Sequence, residues 1–256
     1  MAASVELCAV ASGSNGNCYY IGDSTEAVLI DAGLSARALQ TRLQQSGLSA
    51  TPIRGIVISH EHCDHSRGVR VFAKRLQIPV YLTKQTYLAM ARKERPAEVI
   101  WFAPDVPFML GALQIYPFLK QHDAAEPCSF RIVCNGFSIG VFTDIGAPCS
   151  QVKAHFAQCH AAFLETNYDE QMLESGPYPA FLKSRIASAN GHLSNSQAFH
   201  LLQSCAGPNL STILLSHLSG ENNTPEKALA TFGPMSRAYR IELAPRTAPS
   251  PIVRIE

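Results

Sequence analysis

The sequence predicts an α+β fold in which two β-sheets pack together and helices flank them. Short apolar runs alternate with segments of helical spacing, but without the strict strand–helix–strand repeat of a doubly wound sheet or a TIM barrel. The chain has 256 residues, of which 46% are hydrophobic and 16% charged. A chain of this length and composition is too apolar for disorder and buries a core without needing disulfides or a structural metal.

The first half of the chain contains predicted strands that end in polar loops. Apart from Arg54, Ile53–Ile58 contains no polar residue, as expected for a strand that is buried on both faces. Ser35–Ser46 has leucines at helical spacing and a stop signal at Gly47, which predict a helix. The remaining elements predicted in this half are strands over Val5–Ala11, Cys18–Ile21 and Ala27–Ile30, and a helix over Gly68–Leu76.

The second half repeats this pattern. Ser194, with Gln197 three residues later, forms a capping box that predicts the start of a helix. The predicted strands are Pro79–Leu82, Val99–Phe102, Leu113–Phe118, Ser129–Cys134, Phe137–Phe142, Ile213–Ser216 and Arg240–Leu243. The predicted helices are Gln151–Cys159, Asp169–Glu174, Ala180–Ser188 and Ser194–Cys205. A proline-containing tail, Ala244–Glu256, follows the last of these strands.

Three histidines and the carboxylate of Asp64 closely follow the buried strand, in Ser59-His-Glu-His-Cys-Asp-His65. A short turn can aim His60 and His62 at one metal ion, and Asp64 and His65 at another. Imidazole nitrogen and carboxylate oxygen suit Zn²⁺, with Mn²⁺ or Fe²⁺ as alternatives. Because four ligands do not complete two catalytic sites, further ligands are expected where other strands pass into loops. The candidates at such positions are His122, Asp144 and His217.

This pattern resembles the metallo-β-lactamase superfamily, whose fold is a four-layer αββα sandwich with a cleft for two metal ions. The resemblance extends from Leu7 to about Leu243, so we expect one domain over residues 1–256. It implies that His60, His62 and His122 bind the first metal ion, that Asp64, His65 and His217 bind the second, and that Asp144 bridges both. Two divalent metal ions per chain are therefore expected, with zinc favoured over manganese or iron.

Within the superfamily, the chain is most similar to the YycJ (WalJ) group of bacterial proteins. The segments that carry this similarity are Ser12-Gly-Ser-Asn-Gly-Asn17, Asp31-Ala-Gly-Leu-Ser35, Glu165-Thr-Asn-Tyr-Asp169, Gly176-Pro-Tyr-Pro179, Gly191-His-Leu-Ser-Asn195 and His217-Leu-Ser-Gly-Glu-Asn-Asn223. The group is associated with 5′-to-3′ exonuclease activity on double-stranded DNA, so the resemblance implies a phosphodiesterase that acts on DNA ends. A thioesterase similar to glyoxalase II, a small RNA-processing nuclease and an inactive binding protein are the alternatives.

Further residues are expected to serve catalysis and substrate binding. By similarity to ribonuclease Z, His192 is expected to donate a proton to the leaving group with assistance from Glu165, and Asp64 is also counted as catalytic. The candidates for substrate binding are Ser14, Asn15, Asn167 and Asn222. Three basic residues also lie at helical spacing beside the metal loop, where they either contact a phosphate backbone or form a solvated helix face. They are Arg67, Arg70 and Lys74.

Charge and targeting features limit the partners. Lys and Arg number 21 and Asp and Glu number 20, which gives a net charge of +1. A polyanionic partner must therefore be held by a local patch or a metal, and not by the field of the whole protein. The N-terminal segment has no basic region followed by an apolar run, and no apolar run approaches the ~20 residues of a membrane span. We expect a cytoplasmic protein with no membrane partner, and the oligomeric state is left open.

Overall fold

Two sheets of seven strands each form the centre of the protein. The structure is a computed structural model that describes residues 4–256. The beginning of the N-terminal segment, which was expected to lack a targeting signal, lies in residues 1–3, outside the described residues. The sheets pack face to face with helices on their outer faces, so the predicted four-layer αββα sandwich is confirmed.

The strands follow one another in two blocks along the chain. In chain order they are β1 Val5–Ala11, β2 Cys18–Gly22, β3 Ala27–Ile30, β4 Ile53–Val57, β5 Val80–Leu82, β6 Val99–Trp101, β7 Phe108–Leu110, β8 Leu113–Leu119, β9 Cys128–Cys134, β10 Phe137–Phe142, β11 Ala161–Glu165, β12 Thr212–Ser216, β13 Arg240–Leu243 and β14 Val253–Ile255. The first sheet has the order β14-β1-β2-β3-β4-β5-β6, and the second has the order β13-β12-β11-β10-β9-β8-β7. Neighbours β3 and β4 run parallel, as do β10, β11 and β12.

The helices connect these strands over the outer faces. They are α1 Ala36–Gln45, α2 Cys63–Ser66, α3 Val69–Leu76, α4 Lys84–Ala89, α5 Ser150–Phe156, α6 Glu170–Ser175, α7 Ala180–Ile186, α8 Asn195–Cys205 and α9 Pro225–Phe232, with a short 3₁₀ turn at Gly233–Met235. The predicted capping box of Ser194 and Gln197 is present at the start of α8. No helix within residues 4–256 is long and apolar enough to cross a membrane.

The core lies in three layers that match this architecture. Between the sheets, Tyr19 and Phe163 are fully buried, with ring centroids 4.9 Å apart. A second cluster packs α1 and α3 on the first sheet, and a third packs α5, α8 and α9 on the second. Burial of this apolar surface, at about 25 cal/mol per Å², is the main stabilising contribution to such a sandwich.

Six of these helices and strands were absent from the sequence prediction: α2, α4, β7, β11, α9 and β14. Strand β11 begins with two alanines, which favour helix, but pairing with β10 and β12 overrides this local preference. The C-terminal tail is also corrected, because Val253 and Ile255 are buried where β14 pairs with β1. Both strands are specified by long-range pairing that a local pattern does not contain.

Candidate metal centre

The candidate metal centre lies where the ends of several strands meet. Parallel β10, β11 and β12 present Asp144 shortly after the first strand, Glu165 as the last residue of the second, and His217 directly after the third. Their register aligns Glu165 with Ser216, the residue before His217. Because parallel strands end at the same edge of a sheet, these three side chains converge.

The first sheet supplies the other half of the centre. Parallel β3 and β4 end near Asp31 and His60, and α2 begins within the histidine loop after β4. Asp31, Asp144 and His217 have φ values of 65°, 55° and 57°. Such left-handed backbone is uncommon outside glycine, and it turns each strand end sharply toward the centre.

Two sets of potential ligand atoms lie side by side. In the first, the ligand atoms of His60, His62 and His122 all lie within 4.8 Å of one another. In the second, Asp64, His65 and His217 meet the same condition. These are the two groups that the resemblance implied.

Asp144 lies between the two sets. Its Oδ2 is 3.1 Å from His65 Nε2, and its Oδ1 is 3.9 Å from His122 Nε2. His217 Nδ1 is 3.2 Å from Oδ1 of the same carboxylate. The side chain is therefore within reach of both sets, as a bridging ligand would be.

The chemistry of these residues fits divalent cations. His122 Nε2, His217 Nε2 and Asp144 Oδ2 are buried and have no hydrogen-bond partner within the described residues, although buried polar atoms are normally paired. Meanwhile the other nitrogen of each histidine is held, with His122 Nδ1 3.1 Å from Gly191 O and His217 Nδ1 3.1 Å from Glu165 Oε1. Metal-binding histidines are typically oriented in this way.

Electrostatics around the cluster favour cation binding. Burial lowers the pKa of His122 to about 3 and holds the pKa of His60 well below its usual range, so both imidazoles are in the neutral form that binds metals. Burial alone would raise the pKa of Asp144, but His217 and His65 hold it well below its usual range. The cluster therefore offers the neutral nitrogens of His60 and His122 together with the ionised carboxylate of Asp144.

Comparison with known proteins assigns the chain to a family. Residues 26–217 match the family model of the beta-lactamase superfamily domain. Exodeoxyribonuclease YycJ of Bacillus anthracis is 34% identical over 223 residues, covering 86% of this chain and 84% of that protein. Exodeoxyribonuclease WalJ of Streptococcus pneumoniae is 32% identical over 228 residues, covering 87% and 85%. The chain belongs to the beta-lactamase superfamily.

A solved structure shares the fold of this chain. The metallo-beta-lactamase fold protein YhfI from Bacillus subtilis matches with a TM-score of 0.72 at 14% identity, covering 98% of this chain and 100% of that chain. The predicted family, its YycJ-like group and its fold are confirmed. As predicted, the chain is a metal-dependent hydrolase, and its cluster of histidines and aspartates is positioned for divalent metals.

The fully buried Glu165 pairs with the partly exposed His192 beside the two ligand sets. His192 Nδ1 lies 2.8 Å from Glu165 Oε1, and the His192 side chain is 23% exposed. Burial alone would raise the pKa of Glu165, but the nearby His192 lowers it to about 2. Burial alone would lower the pKa of His192, and Glu165 raises it instead.

Both carboxylate oxygens of Glu165 are engaged by the protein. Oε2 accepts hydrogen bonds from the backbone N–H groups of Ile145 and Leu193, and Oε1 lies near both His192 and His217. Glu165 and His192 lie close enough to Asp144 and His217 to form another possible ligand set. However, the Glu165 carboxylate has no oxygen free for a metal. Glu165 therefore orients the two imidazoles.

The four predicted substrate-binding residues fall in two kinds of place. Ser14 and Asn15 are exposed in the loop between β1 and β2, at the rim of the cluster. Asn167 is buried, and its Nδ2 donates to His217 O at 2.9 Å. Asn222 is also fully buried. Asn167 and Asn222 stay predictions as substrate-binding residues, and the hydrogen bond from Asn167 also supports the His217 turn.

Two residues of the centre were not among the predicted site residues. Asp31 is fully buried, with Oδ2 2.7 Å from His65 Nδ1, and it also accepts hydrogen bonds from the N–H and the hydroxyl of Ser59. Lys120 is buried and donates to Thr143 O at 2.7 Å, one residue before Asp144. The available clue to Asp31 was an ionisable residue at the end of an apolar strand.

Proposed function

We propose that the chain is a two-metal phosphodiesterase that degrades DNA from its ends, as a 5′-to-3′ exonuclease. The observation that carries the proposal is the double ligand cluster with a histidine–carboxylate pair at its opening. The names of the relatives YycJ and WalJ support DNA as the substrate. The proposal includes one domain over residues 1–256 and a cytoplasmic location.

The ligand roles follow the two sets described above. His60, His62 and His122 would hold one ion, Asp64, His65 and His217 the other, and Asp144 would contact both. Zinc suits this mixture of imidazole and carboxylate, with manganese or iron as alternatives. When bound, a pair of divalent ions polarises a phosphodiester, lowers the pKa of water and stabilises the leaving oxygen.

The protein's own residues supply orientation and a proton. Asp31 and Glu165 fix the outer nitrogens of His65 and His217, so that the opposite ring edges face the cluster. His192 is the remaining imidazole that is both paired with a carboxylate and accessible from the cleft. We therefore assign to it the donation of a proton to the alkoxide that leaves when a phosphodiester breaks, a role that typically contributes about 10²–10⁴-fold.

Substrate contacts are proposed for the exposed loop between β1 and β2. Ser14 and Asn15 present polar side chains there, and Ser12 of the same loop accepts a hydrogen bond from the N–H of His217. This bond fixes the loop to a candidate ligand. A phosphate that enters the cleft would therefore meet a rim of defined position.

A substrate comparison tests the function. The purified protein, loaded with Mn²⁺ or Zn²⁺, is offered a 5′-phosphorylated DNA duplex, a single strand, a small RNA and a glutathione thioester. We expect mononucleotides released progressively from the duplex, and His60→Ala serves as the control for a contaminating nuclease. Turnover of the thioester alone, or of the RNA alone, would contradict the proposal.

A further inference from the structure

The near-zero net charge hides a separation of charge along the chain. Eleven of the 21 lysines and arginines lie between residues 32 and 97, together with only three of the 20 acidic residues. This stretch carries a formal charge of +8, and the rest of the chain carries −7. Since it forms α1 to α4 and two strands of the first sheet, one side of the sandwich is strongly basic.

Several of these cations are already used within the protein. Arg54 pairs with Glu26, Arg75 donates to Gln40, and Arg95 lies over the Tyr87 ring. A second group is exposed and has no acidic partner among the described residues. We name it the basic ridge: Arg67, Arg70, Lys74, Arg92 and Lys93.

The basic ridge begins at the metal loop. Arg67 directly follows α2, the helix that carries Asp64 and His65, and its Nη2 lies 3.7 Å from Cys63 Sγ. Arg67 and Lys74 are seven residues apart along consecutive helical segments, about 10 Å at 1.5 Å per residue. One DNA strand rises about three nucleotides over that length.

A second segment is fixed beside α3 and widens the ridge. Glu94 is buried and accepts a hydrogen bond from Ser66 of α2, and Arg70 donates to Lys93 O at 3.2 Å. These bonds place Arg92 and Lys93 next to the basic face of α3. The cations therefore come from two segments that the fold holds together, and not from one solvated helix face.

The surface beside the ridge is concave. A cavity of about 430 Å³ lies between α3 and the segment 96–98, with Arg70 and Lys74 on one wall and Glu98 on the other. Because the ridge starts with Arg67 at the metal loop and continues along α3 to this cavity, it forms a path for substrate that leads away from the reacting atoms.

We infer that the basic ridge binds the phosphate backbone of a DNA duplex whose end lies at the metal centre. This inference rests on the proposed function and adds the surface that holds the uncleaved duplex. Lysine and arginine contacts to phosphates fix position and carry no base preference. They suit an enzyme that moves along DNA regardless of sequence.

Salt-dependent binding tests the inference. Arg67→Gln/Lys74→Gln is compared with Lys153→Gln/Arg237→Gln, which removes two exposed cations outside the ridge. The ligand is a fluorescent, 5′-phosphorylated 20-base-pair duplex with phosphorothioate linkages to slow cleavage, and affinity of the metal-loaded protein is measured from 50 to 400 mM salt. Loss of two phosphate contacts should reduce the salt slope by about 1.8 and weaken binding about 10- to 60-fold at 0.1 M salt. The control should match the unsubstituted protein.

Each outcome decides for or against the ridge. Equal affinities and slopes for the ridge and control variants would overturn the inference, as would ridge-dependent binding to phosphatidylglycerol vesicles without binding to the duplex. If melting temperature or metal content shows that the first variant is damaged, Arg92→Gln/Lys93→Gln must give the same loss. Ridge-dependent binding without cleavage by the unsubstituted protein would refute the proposed function alone. Cleavage with an unchanged slope in both ridge variants would refute the inference alone.

Discussion

Replacing Asp31 by asparagine tests how a buried carboxylate prepares His65 for metal binding. Asp31 Oδ2 lies 2.7 Å from His65 Nδ1 and accepts a hydrogen bond from the Ser59 hydroxyl at 2.8 Å. Oδ1 accepts from the Ser59 N–H, also at 2.8 Å. Asparagine tolerates the φ of 65° at this position as aspartate does, so the substitution changes charge and hydrogen bonding without straining the backbone.

The expected effect follows from the tautomer of His65. A carboxylate holds the proton on Nδ1, which leaves the Nε2 lone pair directed at Asp144 and Asp64. In Asp31→Asn the amide oxygen must stay where the Ser59 N–H needs an acceptor, so the amide nitrogen, which can only donate, faces His65 Nδ1. This favours the tautomer with the proton on Nε2, which does not bind a metal through that atom. Loss of such a supporting group typically costs about 10–100-fold in metal affinity, which is about 1.4–2.8 kcal/mol.

Equilibrium dialysis against zinc buffers, followed by elemental analysis, measures this effect. At a free zinc concentration that loads two ions in the unsubstituted protein, Asp31→Asn should retain about one. Asp105→Asn is the matched control, because Asp105 is exposed, carries the same charge and has a φ of 62°. A full zinc complement in Asp31→Asn, or equal loss in the control, would refute this account of His65.

Three further predictions address the ligands, the proton donor and the core. Elemental analysis should find two metal ions per chain in the unsubstituted protein and about one in His60→Ala. Asp144→Ala should show reduced occupancy of both sites, and a full metal complement in this variant would contradict the bridging role of Asp144. His192→Ala should retain its metal ions and lose about 10²–10⁴-fold of its activity on DNA. It should keep most of its activity on bis-(p-nitrophenyl) phosphate, because the leaving group of that substrate needs no proton. Equal losses of activity on both substrates would exclude proton donation by His192. Phe163→Ala should lower the free energy of unfolding by about 3–5 kcal/mol in denaturant titrations, because this fully buried ring packs on Tyr19; a loss below about 1 kcal/mol would mean that the sheets repack.

The predicted ligands lie close together in the structure, and each one follows the end of a strand, a position that the local sequence pattern exposes. An apolar strand followed directly by histidines is visible without any knowledge of the tertiary structure, and so are His122 and His217 after their strands. The sandwich could be predicted for the same reason, since alternation of elements is local. The buried residues that hold the ligands in position were harder to predict. Asp31 is an ionisable residue at the end of an apolar strand, and only the packing of the two sheets buries it beside His65.

Charge segregation is a property that the sequence contains and that whole-chain composition conceals. A net charge of +1 predicts no long-range attraction for DNA. The charge of the stretch from residue 32 to residue 97 does predict attraction for DNA. Its cations can bind DNA together only if the fold brings them to one surface. The hydrogen bonds from Ser66 to Glu94 and from Arg70 to Lys93 O join the two separate basic segments. The net charge of each segment, combined with the topology, therefore predicts a DNA-binding surface better than the net charge of the whole chain does.

The two halves of the metal centre are joined by hydrogen bonds that start in the core between the sheets. The Tyr19 hydroxyl lies 3.2 Å from Ser12 Oγ and donates to Asn17 Oδ1 at 3.0 Å. Ser12 in turn accepts from the N–H of His217, and Asn17 Nδ2 lies 3.1 Å from His65 Nε2. Because the Tyr19 ring is fully buried between the sheets, the packing that stabilises the sandwich also fixes the separation of ligands that come from different sheets. A shift of one sheet relative to the other would therefore disturb the core and the metal centre together.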